Sequence, residues 1–449
     1  MEAPICLIQS TKDGKLKVNA GAVEILSQIT QPVTVVSIVG ACRTGKSFLM
    51  NRLAGQQKGF DLGHTVQTKT KGIWMWCRPH PVKKDHVLVL LDTEGLGDVE
   101  QCNSEQDTWI FSLAALLSDV LVYNSSWTIN QDAINKLHFI KDITEFIKVK
   151  AKDNNDPETC VSNHFPEFIW ALRDFVLKLE IDGKAVTQDD YLEHALKPQL
   201  PETTKRIKKT NKYKNKLSAC FKIRKCFTFE HPTCEKSVLQ RLEDVHDDEL
   251  TPSFIAKSKE FCDYIFRKDP IKYKGGLQPI NGKRFGLMTV KYTESISSSN
   301  FICMENVIMN VSKTQNKTAV QEATKYYEDK MKGRIIFPTK STEDFMTVSE
   351  KCEKEALQIF IDKSFQDEKQ KFQEEFAKNV KQIKDEFSEQ NIAASRRLCE
   401  ETITALSGDL DKNLNDGSYV VPGGYQKYQE IIEEIKEKYN KIPNKGVQV

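Results

Sequence analysis

The stretch that decides the fold is Val33-Thr34-Val35-Val36-Ser37-Ile38-Val39-Gly40-Ala41-Cys42-Arg43-Thr44-Gly45-Lys46-Ser47. Its first seven residues are mostly apolar and β-branched, which predicts a buried strand. Its last eight residues match the pattern GxxxxGK[ST] of a phosphate-binding loop, and a helical pattern from Phe48 to Leu53 follows. A strand, a glycine-rich loop and a helix in this order predict backbone N–H groups and a helix N-terminus that face a phosphate group.

Each residue type in this P-loop has a chemical reason. Gly40 and Gly45 let the backbone wrap closely around phosphate oxygens. We expect Lys46 to reach the β- and γ-phosphates and the Ser47 hydroxyl to bind Mg²⁺. The residues of this segment that we expect to contact the nucleotide are Gly40, Arg43, Thr44, Gly45, Lys46, Ser47 and Phe48.

A second apolar strand ends in a motif that completes such a site. Leu90-Leu91-Asp92-Thr93-Glu94-Gly95 is a buried-strand pattern ending in DxxG. We expect Asp92 to hold Mg²⁺ through water and the Gly95 N–H to face the γ-phosphate. Thr70 lies between the P-loop helix and the next apolar stretch, where GTPases place the switch hydroxyl that completes the Mg²⁺ shell. The motifs together predict a site for Mg²⁺ and GTP.

Recognition of the base is less clearly marked. Asp174 follows the apolar stretch 167–172, and ligands of doubly wound sheets bind at the carboxyl ends of strands. An aspartate there can accept two hydrogen bonds from guanine, with Arg173 beside it. A surface ion pair between Arg173 and Asp174 is an equally good interpretation of these residues alone.

The residue after DxxG bears on catalysis. Ras-type enzymes place a water-orienting glutamine directly after this motif, but here the position holds Leu96. Another group must therefore assist the reaction. Arg43, inside the P-loop, fits an arginine finger supplied by the same chain, and a solvated side chain is the alternative.

The rest of the chain falls into two halves with different patterns. Apolar runs at 86–91, 119–123, 167–172 and 226–229 alternate with helical patterns, which predicts a mostly parallel sheet covered by helices on both faces. We predict an α/β P-loop GTPase domain, followed by an all-α helical bundle. The predicted boundaries are residues 1–270 for the first domain, 271–300 for a turn-rich linker with a short helix near 287–299, and 301–449 for the bundle.

One stripe of apolar residues predicts the core of that bundle. Its members are spaced by helical steps along a single predicted helix, with charged residues between them. They are Phe365, Phe372, Phe376, Val380, Ile383 and Phe387. A last helix is expected from Tyr425 to about Lys441, after Pro422-Gly423-Gly424.

Composition excludes several other classes of protein. The formal net charge is +2, so no overall field indicates a nucleic-acid partner. The N-terminus lacks the pattern of a signal peptide, and no apolar run is long enough to cross a membrane, which favours a cytoplasmic protein. The 12 cysteines show no CxxC pair, so we expect reduced thiols and not a zinc site.

Several segments together resemble the guanylate-binding proteins, interferon-inducible large GTPases related to dynamins. The resemblance extends over nearly the whole chain, beyond the generic nucleotide motifs. The segments that carry it are Gln31-Pro32-Val33, Thr70-Lys71-Gly72-Ile73-Trp74-Met75-Trp76-Cys77, Leu90-Leu91-Asp92-Thr93-Glu94-Gly95-Leu96-Gly97-Asp98, Trp170-Ala171-Leu172-Arg173-Asp174-Phe175, Cys303-Met304-Glu305-Asn306 and Pro422-Gly423-Gly424-Tyr425.

The resemblance implies a role for several residues. Arg43 would be an internal arginine finger that is ordered on dimerisation, and Thr70 would bind Mg²⁺. Glu94 would join the network that positions the attacking water. Asp174 would recognise guanine, with Arg173 beside the nucleotide.

It also implies a biological setting. Family members hydrolyse GTP to GDP, and some continue to GMP; they form homodimers or heterodimers through the GTPase domain and act in cell-autonomous innate immunity. By this resemblance the protein would be cytoplasmic and recruited through partners to the membranes of pathogen-containing vacuoles.

The chain departs from the family pattern in three places. Thr68 and Lys69 replace the usual Ser and His before the switch threonine, and Thr68 keeps a hydroxyl that would hold the attacking water. His231 and Glu235 stand where the family often has arginines over the guanine, which puts base sealing and GMP formation in doubt. The sequence ends at Val449 without the long helical effector region or a prenylation motif, so no lipid anchor is expected.

A basic block between residues 205 and 225 is not explained by the nucleotide site. It fits a solvated helix face, or a contact with anionic membrane or a pathogen surface polysaccharide.

Two functions other than GTP hydrolysis also stay open at this point. The chain would be a non-catalytic or weakly catalytic short form that binds nucleotide, pairs with longer relatives and regulates them. The other function is that of a membrane-fusing relative of the atlastin type, and the lack of an apolar run long enough to cross a membrane argues against it.

Overall fold

An eight-stranded sheet organises the first part of the chain. In the computed structural model, its spatial order is β10-β7-β6-β3-β5-β4-β1-β2. The strands are β1 (Ile5–Ser10), β2 (Leu16–Val18), β3 (Val33–Gly40), β4 (Ile73–Pro79), β5 (Val87–Thr93), β6 (Val120–Ser126), β7 (Glu167–Arg173) and β10 (Arg224–Thr228); β8 (Glu180–Ile181) and β9 (Lys184–Ala185) form a separate hairpin. The structure describes residues 1–11, 15–62, 71–96, 104–138, 140, 165–267, 279–298, 304–367 and 369–447.

The helices follow the same alternation in this part of the chain. The α-helices that the structure describes before residue 300 are α1 (Ala20–Ser27), α2 (Lys46–Leu53), α3 (Ser104–Leu117), α4 (Gln131–Asn135), α5 (Gln188–Leu196), α6 (Lys205–Cys220), α7 (Lys236–Leu239), α8 (Pro252–Phe266) and α9 (Gly282–Ser297). Helices α2 and α8 pack on one face of the sheet through a shared cluster of buried side chains. The predicted α/β fold class is confirmed.

Strands β10, β7, β6, β3 and β5 pair in parallel, as predicted for the apolar runs. Strand β4 pairs antiparallel with β5, β1 with β4, and β2 with β1. Strands β1 and β2 are not among the predicted strands, and β2 has only three residues. The parallel part places the carboxyl ends of β3, β5, β6, β7 and β10 at one edge, where the P-loop begins.

The chain divides into two compact units, Met1–Val311 and Ser312–Val449. Helix α9 belongs to the first unit, where it contacts α1 and α3, although the sequence places it in a linker. It begins at Gly282, five residues before the predicted start near Leu287. The predicted domain boundaries at residues 270 and 300 stay predictions.

The second unit is helical, as predicted. It contains the end of α10 (Met304–Arg334), α11 (Thr342–Lys363), α12 (Lys371–Asn415) and α13 (Gly424–Lys441). A buried cluster joins α10, α11 and α12, and it includes Phe376, Val380 and Phe387 from the predicted stripe, with Phe372 and Ile383 packed against it.

The predicted stripe is wrong at its first member. Phe365 is buried but lies between α11 and α12, not on the long helix. Asn316 on α10 hydrogen-bonds both backbone groups of Phe365. Its Oδ1 accepts from the Phe365 N–H at 2.7 Å, and its Nδ2 donates to the Phe365 carbonyl at 2.9 Å. A loop can therefore bury this phenylalanine, because a side chain replaces the missing helical hydrogen bonds.

Within the described part of the chain, none of the helices is long and apolar enough to cross a lipid bilayer.

Candidate nucleotide site

The P-loop leaves β3 through a backbone that only glycine fits. Gly40 has φ +148°, and a methyl group on it would lie 2.0 Å from the Asn124 carbonyl oxygen at the end of β6. Gly45 has φ +77° and is the N-cap residue of α2. The Asn124 Nδ2 donates to the Thr44 carbonyl at 2.7 Å, so the neighbouring strand fixes the far side of the loop. Asn124 was not predicted, although a polar residue near the end of an apolar strand beside β3 was a usable signal.

Lys46 lies inside this loop and is buried. Its Nζ donates to the carbonyl oxygens of Gly40 and Ala41 at 3.2 and 3.0 Å. Burial lowers the pKa of the Lys46 ammonium, and the nearby negative charge of Asp92 opposes that shift. An ammonium group held in this way lacks full charge compensation, which the oxygens of a phosphate group would supply.

Ser47 and Asp92 meet as the two sequence motifs predict. The Ser47 Oγ donates to Asp92 Oδ2 at 2.6 Å. Asp92 is 1% exposed, and its Oδ1 has no hydrogen-bond partner among the described residues. Burial raises the pKa of Asp92 to about 6, and Lys46 and the Ser47 hydrogen bond oppose the shift. A buried carboxylate oxygen without a partner beside a hydroxyl is a donor set that fits Mg²⁺.

The DxxG segment packs directly on the P-loop. The Leu96 N–H donates to the Gly40 carbonyl at 3.0 Å, and Leu96 forms a bridge with Ala41. A methyl group on Gly95 would lie 2.2 Å from Cys42 Sγ and 2.6 Å from Cys42 Cα. Gly95 is therefore needed for close approach of the two loops, a reason for glycine that the sequence motif does not contain.

Glu94 is held by three donors from distant parts of the chain. Its Oε2 accepts from Ser10 Oγ at 3.0 Å and from the Gly72 N–H at 2.5 Å, and its Oε1 accepts from Gln106 Nε2 at 3.0 Å. Glu94 is buried. It thus joins β1, the start of β4 and α3 at the nucleotide edge, an arrangement that no local sequence pattern predicts.

Arg173 is buried at the end of β7 instead of lying in a surface ion pair. Its guanidinium lies 5.1 Å from the ring centroid of Phe229 and 5.2 Å from that of Phe254. Burial lowers the pKa of Arg173 to about 10, and Asp174 opposes the shift. A methyl group on Gly45 would lie 3.4 Å from Arg173 Nη2, so the guanidinium reaches the P-loop. Its Nη1 has no hydrogen-bond partner among the described residues.

Asp174 adopts a left-handed backbone with φ +57° and is partly buried. Its Oδ1 lies 3.6 Å from His231 Nε2, on the segment that follows β10. Arg43 is also left-handed, with φ +61°, and its side chain is exposed on the P-loop. Thr68 and Thr70 lie outside the described residues.

The basic block is only partly available to a partner. Lys225 pairs with Asp189, and the Arg224 Nε lies 2.8 Å from Glu193 Oε1. Other members lie on α6 or just after it and are exposed. They are Lys205, Lys208, Lys209, Lys212 and Lys222.

The chain is similar to known proteins over its whole length. The family models described as the guanylate-binding protein N-terminal and C-terminal domains match residues 13–274 and 275–449. Guanylate-binding protein 3 of Mus musculus is 44% identical over 450 residues, which cover 100% of this chain and 72% of that protein. Guanylate-binding protein 2 of Homo sapiens is 43% identical over 451 residues, with 100% and 76% covered. The P-loop lysine, the serine after it and Asp92 converge in this chain as the motifs of a GTPase require. The two matched domains and the similarity over the whole chain show that the protein belongs to the guanylate-binding protein family, a family of GTPases.

Proposed function

We propose that this protein binds GTP together with Mg²⁺ at the P-loop and hydrolyses it to GDP. The contact between Ser47 and Asp92 is the observation that supports this most strongly. It brings the two motifs together at the carboxyl edge of the parallel sheet and leaves one buried carboxylate oxygen without a partner. Most buried polar atoms in folded proteins have a hydrogen-bond partner, and a metal ion would supply one for this oxygen.

The phosphates would replace contacts that the protein makes with itself. Lys46 would exchange its two carbonyl acceptors for the β- and γ-phosphate oxygens, which carry full negative charge. Gly45 and the N-terminus of α2 add backbone N–H groups on the same side. Thr44 and Phe48 flank these groups in our proposal.

Ser47 and Asp92 would hold the Mg²⁺, together with Thr70 from the segment outside the described residues. The ion would neutralise charge that develops on the phosphate oxygens during the reaction. Asp92 must be ionised for this, and Ser47 keeps the carboxylate oriented.

The other proposed roles belong to residues of the P-loop and of the loops beside it. Arg43, exposed and strained at the loop surface, would turn onto the phosphates when a second GTPase unit covers it, which links hydrolysis to dimerisation. Glu94 would order the attacking water together with Thr68, and the Gly95 N–H would face the γ-phosphate. Asp174 would accept the N1 and N2 hydrogens of guanine, with Arg173 behind it. Hydrolysis on to GMP and a role in interferon-induced defence are further parts of the proposal, which the family membership supports.

One experiment tests the core of the proposal. The purified protein is offered GTP, GDP, GMP and ATP with Mg²⁺, and affinities are measured together with the products of hydrolysis by chromatography. We expect selective binding of guanine nucleotides and production of GDP, both lost in Lys46→Ala and kept in Lys84→Ala, an exposed lysine far along the chain from the P-loop. Preference for ATP, or turnover that survives Lys46→Ala, would refute it.

A second proposal concerns the exposed lysines of α6. Four of them, Lys205, Lys208, Lys209 and Lys212, share one helix and have no acidic partner within salt-bridge distance among the described residues. We propose that they contact an anionic membrane. Sedimentation with phosphatidylserine vesicles, compared with phosphatidylcholine vesicles, should fall when these lysines are replaced by glutamine, and equal binding to both vesicles would contradict it.

A further inference from the structure

We propose that His231 occupies the guanine-recognition carboxylate of Asp174 when no nucleotide is bound, so that guanine and the protonated His231 ring compete for one acceptor. This inference rests on the proposed role of Asp174. It makes His231 a residue that sets guanine affinity in this chain.

Backbone hydrogen bonds just beyond the paired strands hold the segment that leads to His231 next to Asp174. Strands β7 and β10 pair in parallel, and the pairing continues past their ends: the Phe229 N–H donates to the Leu172 carbonyl at 2.8 Å, and the Phe175 N–H donates to the Phe229 carbonyl at 2.9 Å. Asp174 lies between the two residues that bond Phe229, with its left-handed backbone. The segment that begins at Phe229 is therefore fixed against Asp174.

The loop also fixes the orientation of the His231 ring. The Thr251 Oγ1 donates to the His231 carbonyl at 3.0 Å, and the Thr251 N–H donates to the Pro232 carbonyl at 2.8 Å. The His231 Nδ1 lies 2.6 Å from the Thr233 carbonyl, which can only accept, so Nδ1 carries a proton. The opposite nitrogen, Nε2, is the one directed at Asp174.

The charge of the ring decides what Nε2 offers to Asp174. With Nδ1 protonated, a neutral ring would present the Nε2 lone pair to a carboxylate 3.6 Å away, whereas an imidazolium presents a proton and a positive charge. The other charged groups nearby are Arg173 behind Asp174, Glu230, whose Oε2 accepts from Ser253 Oγ at 2.6 Å, and Glu235 at the start of α7. Thr251 and Ser253, at the start of α8, add no charge.

Guanine needs the same carboxylate oxygens. Its N1 and N2 groups are donors, as is the imidazolium, and a carboxylate that accepts two coplanar donors from a base has little room for a third in the same direction. The side chains of His231 and Asp174 are 46% and 29% exposed, so a base reaches this carboxylate from solvent once the ring moves away. The protonated pair is thus a binding-incompetent state, and the apparent affinity for guanine falls with its population.

The test compares pH profiles of guanine-nucleotide affinity. Dissociation constants for fluorescent GDP are measured at saturating Mg²⁺ between pH 5.5 and 7.5, the range in which an imidazole changes its charge. We expect the wild-type protein to lose affinity toward pH 5.5 by up to about tenfold more than His231→Gln, because the variant has no group to protonate. The phosphate groups and Asp92 titrate equally in both proteins, so the difference between the profiles isolates His231.

Two controls separate the possible failures. His194→Gln, an exposed histidine on α5, should keep the wild-type profile. Fluorescent IDP, which lacks the 2-amino group, should show the same His231 dependence through its single N1 hydrogen bond. Identical pH profiles for wild type and His231→Gln, or a wild-type affinity that rises toward pH 5.5 relative to the variant, overturn this inference while guanine selectivity stands. If guanine is not preferred over adenine at any pH, the proposed function and this inference fail together.

Discussion

The Ser47 hydroxyl donates to Asp92 Oδ2 across 2.6 Å, which joins the P-loop after β3 to the end of β5. The two residues are 45 positions apart in the sequence and meet because their strands are parallel neighbours. The contact uses only one carboxylate oxygen, and Asp92 Oδ1 stays buried without a partner among the described residues. A buried carboxylate whose pKa is raised to about 6 is a costly feature in a protein that uses it only for folding.

The first prediction concerns the pH dependence of Mg²⁺ binding. Burial raises the pKa of Asp92 from 3.8 to about 6, and a metal ion needs the ionised form. Mg²⁺ affinity of the GDP-bound protein should therefore fall as the pH decreases through about 6, and Mg²⁺ uptake there should release a proton. Calorimetry in two buffers of different ionisation enthalpy measures both. Asp92→Asn should abolish the pH-dependent part and Asp85→Asn, an exposed carboxylate, should keep it; a flat wild-type profile would contradict the assignment.

The second prediction concerns the close approach of Gly95 to Cys42. A methyl group on Gly95 meets Cys42 Sγ at 2.2 Å and Cα at 2.6 Å, so Gly95→Ala must push the P-loop away. Overpacking of this kind costs about 1–3 kcal/mol, which we expect to appear as weaker nucleotide binding. Cys42→Ala should not restore the affinity of Gly95→Ala, because the backbone contact remains. Gly408→Ala, a helical glycine with open space around it, is the control; unchanged GDP affinity in Gly95→Ala would show that the loops do not need this contact.

The third prediction concerns the buried Arg173. Its guanidinium lies against Phe229 and Phe254, with Nη1 unpaired among the described residues. Arg173→Met keeps most of the side-chain volume and removes a poorly compensated charge. The free energy of unfolding of the nucleotide-free protein should therefore rise by about 1–4 kcal/mol, and its unfolding should need more denaturant. Nucleotide affinity should fall at least about tenfold, about 1.4 kcal/mol, because the guanidinium beside Gly45 is lost.

Denaturant unfolding with and without GDP measures both effects of Arg173→Met. Arg78→Met, a partly exposed arginine 5.3 Å from the Trp76 ring, should produce neither change. A variant that is less stable without nucleotide would show that Arg173 serves the fold and not the site.

The sequence predicted those features that depend on local pattern. Continuous apolar runs predicted β3, β5, β6, β7 and β10, because a strand buried on both faces has no polar alternation. Strand β2, with three residues, carries too little pattern to be distinguished from a loop. Phe365 fitted the helical spacing by coincidence, since its helix had already ended and Asn316 supplied the backbone hydrogen bonds.

The candidate site shows the same division. Lys46, Ser47 and Asp92 belong to motifs whose spacing is fixed by phosphate and metal chemistry, so their convergence could be predicted. The partners of Glu94, which are Ser10, the Gly72 N–H and Gln106, come from separate elements whose arrangement no local pattern encodes. The contact between His231 and Asp174 likewise depends on pairing of β7 with β10.

The fourth prediction concerns Arg43 and the chemical step. Arg43 is exposed at the P-loop surface in a left-handed backbone. If it stabilises charge in the transition state, Arg43→Ala should lower kcat by about 10³-fold or more and change the dissociation constant of GDP by less than a few fold. Arg43→Lys should recover little, because an ammonium cannot reproduce the planar fork of a guanidinium. Single-turnover GTP hydrolysis over a range of protein concentrations measures the effect, and the wild-type rate per molecule should rise with concentration while that of Arg43→Ala stays flat. Equal losses of kcat and of GDP affinity would instead make Arg43 a binding residue, and another group would then have to supply the catalytic charge.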